Sequence, residues 1–554
     1  MVSKLAVYLP PATFADPSNP FGVTIANREL HRALVLHGGF EDLTFISQDA
    51  VRPEQLAQHM GLGALPDGVR LTQRGSPAAL AAARDGALFR GNPDLSDPAW
   101  ERRTEAGDEA YSLVGLVHTT APPEMRRRIA QAAVTPTHPW DAQICTSPAV
   151  KDVLEAMFGT WDAYLAERFA GRPGPRPMLP VIPLGVDRER FAGLADRPDA
   201  RARVRARLGL ADDAILVLWV GRLSFFEKAY PQPMFRALEE AVAATGAKVH
   251  FAMAGWFPNG QVDQARYSEA ADAYAPAVGV SFENGNDPDC VADLWAGADI
   301  FLSLVDNIQE TFGLTPVEAM AAGLPVVVSD WDGYRFTVRD GQEGFLVPTL
   351  GGPTDGSGAA LARLHVLQVE TYQSYVGSVA QLTAVDVGAA AAALAELIRS
   401  PELRRRMGAA GRARVAAAFD WPVVVRQIGA LLDELAAIRA RSAPPSAIRA
   451  DPMRTDPFID FAGFASATLA PSTRLSLRPG VSVDQLARAD RVQLDRMAGF
   501  RRAPIDKAVE AFGLIERGEA ATVGDILARF PADLRAPLSL SLLWMCKLGL
   551  LAWR

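Results

Sequence analysis

The sequence predicts an α/β protein: two doubly wound, parallel-sheet domains followed by a small, mainly helical unit. Three observations carry this. Strand and helix signals alternate from Lys4, restart at Ile215 and persist to Val347, and such alternation marks a parallel sheet with helices on both faces. A stretch with many Pro and Ser residues, Ser442 to Val481, then interrupts the pattern as a linker. Beyond it, residues 482–554 read as a run of helices. The boundaries predicted are 1–190, 191–441, 442–481 and 482–554.

Composition agrees. At 554 residues, 49% hydrophobic and 22% charged, the chain has ample core for several domains. A formal net charge of −8 argues against a general nucleic-acid binder. Cys145, Cys290 and Cys546 lie far apart and form no zinc spacing or disulfide framework, which suits a reducing, cytoplasmic setting. The opening MVSKLAVYLPPA reads as a first strand rather than a signal peptide. No apolar run reaches membrane-spanning length.

In order, residues 4–9 form a strand, and Pro10 to Gly22 a Pro/Asn/Gly loop. The amphipathic VTIANRELHRALVLHG is a helix ending at Gly38-Gly39, followed by a strand near Leu43 to Ile46. Residues 50–110 yield only a helix, Ser76 to Ala87. Tyr111 to Val117 is a strand whose end places His118 at the rim of the sheet, where parallel sheets bind ligands. The plain alternative is a satisfied structural histidine, and His138, in a Pro-flanked turn, is a weaker rival. Asp141 to Thr146 is a strand, and Ser147 caps the helix from Pro148.

The second domain opens with a basic helix, Asp199 to Leu208, read as a solvated face. Strand Ile215 to Val220 leads into Gly221-Arg222-Leu223 and Glu227-Lys228, then helix Pro233 to Ala244. Strands Val249 to Ala254 and Val278 to Asn284, helix Cys290 to Ala298 and strand Ile300 to Leu304 follow. Leu350 to Asp386 is an insertion, and helix Val423 to Arg441 is expected to cross back toward the first domain.

The chemistry concentrates in Asp306 to Asp330, DNIQETFGLTPVEAMAAGLPVVVSD. Thr315 fits an N-cap, Pro316 the first helical position and Glu318 the third, with Gly323 ending the helix before a buried Val-rich strand. The N–H groups of Phe312, Gly313 and Leu314 at a helix N-terminus suit an anion, and Gly313 allows close approach. Glu310 and Glu318 would repel phosphate and so suit hydroxyls. Phosphate between two sets of hydroxyls describes a nucleotide sugar.

The Glu310–Glu318 spacing, followed by EAMAAGLPVVVSD and by DGQEGFLVP at Asp340 to Pro348, resembles the donor site of the family 4 retaining glycosyltransferases. The resemblance covers roughly residues 1–440 and is most specific over 215–348. It implies the GT-B architecture, in which two Rossmann-like domains face a cleft. It also implies sugar contacts from Glu310 and His118, a ribose contact from Glu318, and diphosphate contacts from Arg222 and Lys228. The backbone of Thr311, Phe312, Gly313 and Leu314 would join these, with Gly22 as a further candidate. Three departures stand out: Phe21-Gly22 replaces a glycine pair, Leu184 replaces an asparagine before Gly185, and Arg222 and Lys228 lie one residue further apart than in the family pattern. No metal or other cofactor is implied. Asp330-Trp331-Asp332 is treated as a loop feature and Asp287-Pro288-Asp289 as a turn.

The function expected is therefore metal-independent, retaining transfer of a sugar from a nucleotide sugar to a hydroxyl of a glycan, lipid or protein. An epimerase of the same fold, or a non-catalytic nucleotide-sugar scaffold, are the alternatives. The closing residues suggest a degenerate helix-turn-helix or winged-helix unit. From Arg501 they carry eight Lys/Arg against six Asp/Glu, too little charge for phosphate-driven DNA binding. Dimerisation, peripheral membrane contact or recruitment of the acceptor are the roles considered for it.

Overall fold

The computed structural model describes residues 3–11, 13, 14, 22–171, 174–195, 197, 199–442 and 450–554. The chain divides into two compact units, Met1–Asp451 and Pro452–Arg554.

The first unit holds two six-stranded sheets, each parallel throughout. Strands β1 (Lys4–Leu9), β2 (Asp42–Ser47), β3 (Val69–Gln73), β4 (Ala87–Arg90), β5 (Ser112–Val117) and β6 (Ala142–Cys145) lie in the order β3-β2-β1-β4-β5-β6. Strands β7 (Ile215–Val220), β8 (Val249–Gly255), β9 (Gly279–Asn284), β10 (Ile300–Ser303), β11 (Val326–Ser329) and β12 (Gly344–Val347) lie in the order β12-β11-β10-β7-β8-β9. Counted from its own first strand, each sheet has the 3-2-1-4-5-6 order of a doubly wound fold. Each thus has a topological switch point between its first and fourth strands, β1/β4 and β7/β10. The central strands are near-continuous apolar runs, ILVLWV in β7 and VVVS in β11, because helices cover both faces.

Residues 50–110 hold more than the single helix expected there. The helix is Pro77–Ala82, capped by Ser76, and β3, β4 and helices Pro53–His59 and Ser96–Glu105 lie around it. Strand β4 escaped notice because it is four residues long and follows the helix after one tight turn, with Asp85 at φ +67°. Ser147 caps the helix Pro148–Phe169, as predicted, by accepting from the Val150 N–H. Asp287 is not part of a free turn: it caps the helix Pro288–Gly297.

The basic helix Ala200–Arg207 is not a bare solvated face. Arg201, Arg203 and Arg207 pair with Asp299, Asp293 and Glu283, and Arg205 is buried, donating to the Ala214 carbonyl at 2.8 Å. The sequence pattern shows arginines on a helix; only the fold brings three acidic partners opposite them. The return crossing is as expected. Helix Trp421–Arg441 ends with Arg439 donating to the Gly86 carbonyl at 3.0 Å and the Ser112 hydroxyl at 2.6 Å in the first domain. Gly185 lies against the Trp421 indole, which leaves no room for a β-carbon there.

In the second unit, β15 (Leu475–Leu477) pairs antiparallel with β16 (Leu551–Trp553) once β13 (Thr349–Leu350) and β14 (Ala384–Val385) are counted in the first. β15 lies inside the stretch expected to be linker, of which residues 443–449 fall outside the described residues. Helices Val483–Ala489, Ile505–Glu516, Val523–Ala528 and Ala532–Lys547 complete it around Phe512, Ile526, Leu538, Leu542 and Met545. The first of these helices ends at Ala489.

Candidate functional site

Both switch points deliver their loops to the carboxyl ends of the strands. In the second sheet the loop after β7 carries Arg222, Glu227 and Lys228, and the loop after β10 carries Glu310 to Gly313. Lys228 Nζ lies 3.2 Å from Glu310 Oε2, so the two loops meet through an ion pair. Arg222 lies 2.8 Å from Glu227 and over the Trp256 ring, 5.9 Å from its centroid. The extra residue between Arg222 and Lys228 is absorbed by a tight turn: the Lys228 N–H donates to the Ser224 carbonyl at 3.0 Å, and Ser224 Oγ accepts from the Glu227 N–H at 3.2 Å.

The helix after this loop starts one residue before the predicted cap region. It spans Leu314–Ala322, with Gly313 as its cap at φ +85°. Thr315 therefore sits inside the first turn rather than at the N-cap, and Glu318 is the fifth helical residue rather than the third. Two causes combine. Left-handed Gly313 turns the chain, which L side chains resist. The Glu310 carboxylate then folds back over the turn before the helix, its Oε1 accepting from the Thr311 N–H at 3.4 Å and the Gly313 N–H at 3.2 Å. Gly313 is also required by packing, because a β-carbon there would run into the Tyr334 ring. Of the backbone donors predicted to hold a phosphate, those of Phe312 and Gly313 are thus engaged by the protein's own carboxylate. Burial alone would raise the Glu310 pKa, but the Lys228 ammonium and the N–H groups of Thr311 and Phe312 hold it below the ordinary carboxylate range. The Phe312 side chain is core, packed edge-on against Phe419.

The first domain meets this loop directly. Thr311 Oγ1 donates to the His118 carbonyl at 2.7 Å, and Thr146 Oγ1 donates to the Thr311 carbonyl at 3.2 Å. His118 follows the end of β5, as predicted, and its Nε2 lies 2.9 Å from Asn27 Oδ1. Burial pushes the His118 pKa down to about 4, so the ring is neutral at pH 7. His138, the rival, is structural. It stacks on Trp140 at 4.2 Å and bonds Asp108 at 2.9 Å, away from the cleft loops.

Glu318 faces a cavity of about 40 Å³ that Glu29, Arg190, Leu184, Leu314 and Trp421 help line. Burial pushes its pKa up to about 7. Gly22 opens the helix Gly22–His37, with open space around its α-carbon; Phe21 lies outside the described residues.

Several residues of the site are not among those the sequence singles out as functional. Asn27 is one polar position on an amphipathic helix, and it also donates to the Gly91 carbonyl at 3.1 Å. Asp306 is buried, accepts from the Tyr230 N–H, and is pushed well above the ordinary carboxylate pKa by desolvation. Asp332, set aside above as part of a loop, is more than that. It accepts from Ser147 Oγ at 3.1 Å across the two domains, and burial followed by the charge of Glu310 pushes its pKa up to about 7. Its D-x-D spelling was the available signal. Its partner Asp330 instead pairs with Arg335 at 2.9 Å. Among the described residues no three His, Cys, Asp or Glu side chains converge on one point, and no helix is long and apolar enough to cross a membrane.

Comparison with known proteins adds to this geometry. Residues 200–350 match the family described as glycosyl transferases group 1. A D-inositol 3-phosphate glycosyltransferase of Geodermatophilus obscurus is 28% identical over 288 residues, covering 50% of this chain and 52% of that protein. One of Streptomyces scabiei is 33% identical over 172 residues, covering 30% and 36%. The chain thus spans about half or less of the curated relatives it matches. The Candida albicans trehalose-6-phosphate phosphatase N-terminal domain superposes with a TM-score of 0.50 at 10% identity, covering 78% of this chain and 97% of that one, a likeness of fold alone. The chain therefore carries a glycosyl transferases group 1 domain at residues 200–350, within a GT-B fold of two Rossmann-like α/β domains.

Proposed function

We propose that the first unit is a retaining glycosyltransferase of family 4, moving a sugar from a nucleotide sugar to an acceptor hydroxyl without a metal. The observation that carries this is the meeting of the Arg222–Lys228 loop with the Glu310–Gly313 loop at the β7/β10 switch point, the place where doubly wound sheets bind nucleotides. In that reading an arriving diphosphate takes Lys228, Arg222 and the N–H groups at Gly313 as its counter-charges. Glu310, released from Lys228, turns to the sugar hydroxyls. Neutral His118 lies beside the sugar, Glu318 holds the ribose, and the cations stabilise the diphosphate as it leaves. Lys228 thus exchanges one anionic partner for another. Two cations and a helix N-terminus supply the charge a divalent metal would otherwise provide.

The test has three stages. UDP-, GDP- and ADP-sugars are screened by thermal shift, since a bound ligand raises stability. The donor that binds is incubated with acceptors, beginning with D-inositol 3-phosphate, the acceptor named for the relatives, and going on to glycan, lipid and protein hydroxyls. Release of nucleoside diphosphate and the anomeric configuration of the product are then read. Binding without release would make the unit a scaffold. Inversion would overturn retention, and loss of activity in EDTA would overturn metal independence.

A further inference from the structure

Within the insertion at 350–386, residues 351–383 lie between the paired strands β13 and β14, with Thr349 opposite Val385. The insertion holds two helices, Ala359–Val366 and Tyr372–Gln381. The first buries no residue, whereas the second buries Val376 and Ala380. The second packs on the loop that follows β7. Gly377 approaches Phe226 so closely that a β-carbon would lie 2.8 Å from the Phe226 side chain. Gln381 Nε2 donates to the Tyr230 hydroxyl at 3.0 Å. Glu227 and Lys228 lie between those two contacts.

Tyr372 opens this helix, held by Thr371, whose hydroxyl caps it by accepting from the Ser374 N–H. The Tyr372 hydroxyl is buried and makes no well-aligned hydrogen bond among the described residues. It faces Thr119, the neighbour of His118, with Glu227 and Arg222 close by. Burial raises its pKa, so it keeps its proton and has a hydrogen bond to donate. A buried hydroxyl whose hydrogen-bonding neighbour, Thr119, is poorly aligned gains from a partner that completes it.

We infer that the Tyr372 hydroxyl is completed by ligand: it donates a hydrogen bond to the diphosphate of the nucleotide donor, making the insertion part of the donor site. This rests on the reading of Arg222 and Lys228 given above. The diphosphate is favoured over the acceptor because the charged groups around the hydroxyl belong to the cation loop. A neutral donor there adds a bond to the anion without adding charge to a cleft whose carboxylates and cations already balance.

Tyr372→Phe keeps the ring and its packing and deletes only the hydroxyl. Calorimetric titration with UDP, GDP and ADP, and with the matching nucleosides, compares this variant with wild type and with Arg222→Ala. The expected result is about tenfold weaker binding of the preferred nucleoside diphosphate with unchanged nucleoside affinity, the size of one hydrogen bond to a charged group. Unchanged diphosphate affinity in Tyr372→Phe beside weakened binding in Arg222→Ala would overturn this inference alone. A raised acceptor KM with unchanged diphosphate affinity would also overturn it and assign the hydroxyl to the acceptor. Unchanged affinity in both variants would remove the donor-site reading with it.

Discussion

Two ion pairs of the first unit have the same chemistry and opposite settings. Arg102 and Asp141 are wholly inaccessible and doubly bonded, at 2.6 and 2.9 Å. Arg102 also donates to the Tyr111 and Pro136 carbonyls, and Asp141 also accepts from the Leu113 and His138 N–H groups. Lys228 and Glu310 share one contact of 3.2 Å, with 32% of the lysine side chain exposed, at the open ends of the strands. A pair locked by many fixed backbone partners cannot exchange them and so holds structure. A partly exposed lysine with one carboxylate contact at a strand end can trade that partner for a ligand.

The comparison can be broken most severely at Arg102. Arg102→Met should destabilise the fold by about 3–5 kcal/mol, because Asp141 is left buried and uncompensated, while the folded fraction still binds nucleotide. Denaturant unfolding reads the first and calorimetry the second. A stable Arg102→Met protein would put the pair outside the structural class.

Glu310→Ala should lower transfer by more than about tenfold, about 1.4 kcal/mol, because the sugar loses its positioning group. Glu310→Gln should bind nucleoside diphosphate at least as tightly as wild type, since the competing charge on Lys228 is gone. Weaker binding in the glutamine variant would show that the carboxylate does not compete with phosphate.

Smaller effects are expected for the cations. Arg222→Ala and Lys228→Ala should each weaken nucleoside diphosphate binding, by less as salt rises. Affinity independent of salt in wild type and both variants would move the phosphate contacts elsewhere.

The smallest effect concerns Glu318. Its pKa is raised by burial from 4.5 to about 7, so between those values the native state holds a proton that the unfolded chain has released. Glu318 therefore costs stability increasingly as pH rises through that window, and below it costs nothing. Glu318→Gln should melt higher than wild type at pH 8 and nearly equally at pH 4.5. The same gap at both values would mean that the carboxyl does not titrate there.

The division at Asp451 sharpens the comparison from outside. A chain ended after Arg441 should keep donor binding and donor hydrolysis, with any loss confined to transfer to the true acceptor. Failure of that chain to fold would make the second unit part of the core.

Much of this was legible in residues. The apolar runs of β7, β10 and β11 declare buried parallel strands, because a strand covered on both faces has no polar side to show. Arg222, Lys228, Glu310 and His118 were each placed at a strand end by the signals of the strand before them. Local rules were enough for Ser147, whose capping needs only its own helix.

Other features depend on contacts between distant segments. The helix starts at Leu314 rather than Pro316 because the turn before it is set by left-handed Gly313, held by Glu310 and packed on Tyr334, not by the favourable Thr315-Pro316 spelling. β4 was lost because four residues carry too little period to be seen; its place beside β1 is decided by pairing. The linker lost β15 to the second unit because that strand is made only by its partner β16, which lies at the other end of the unit's sequence. The sequence alone thus determined which segments are buried strands and which charges stand at their ends, since both follow from local patterning. Which charge faces which, that Glu310 holds Lys228 and that Tyr372 faces Thr119, was decided only by the tertiary structure, because such pairings join residues far apart in the chain.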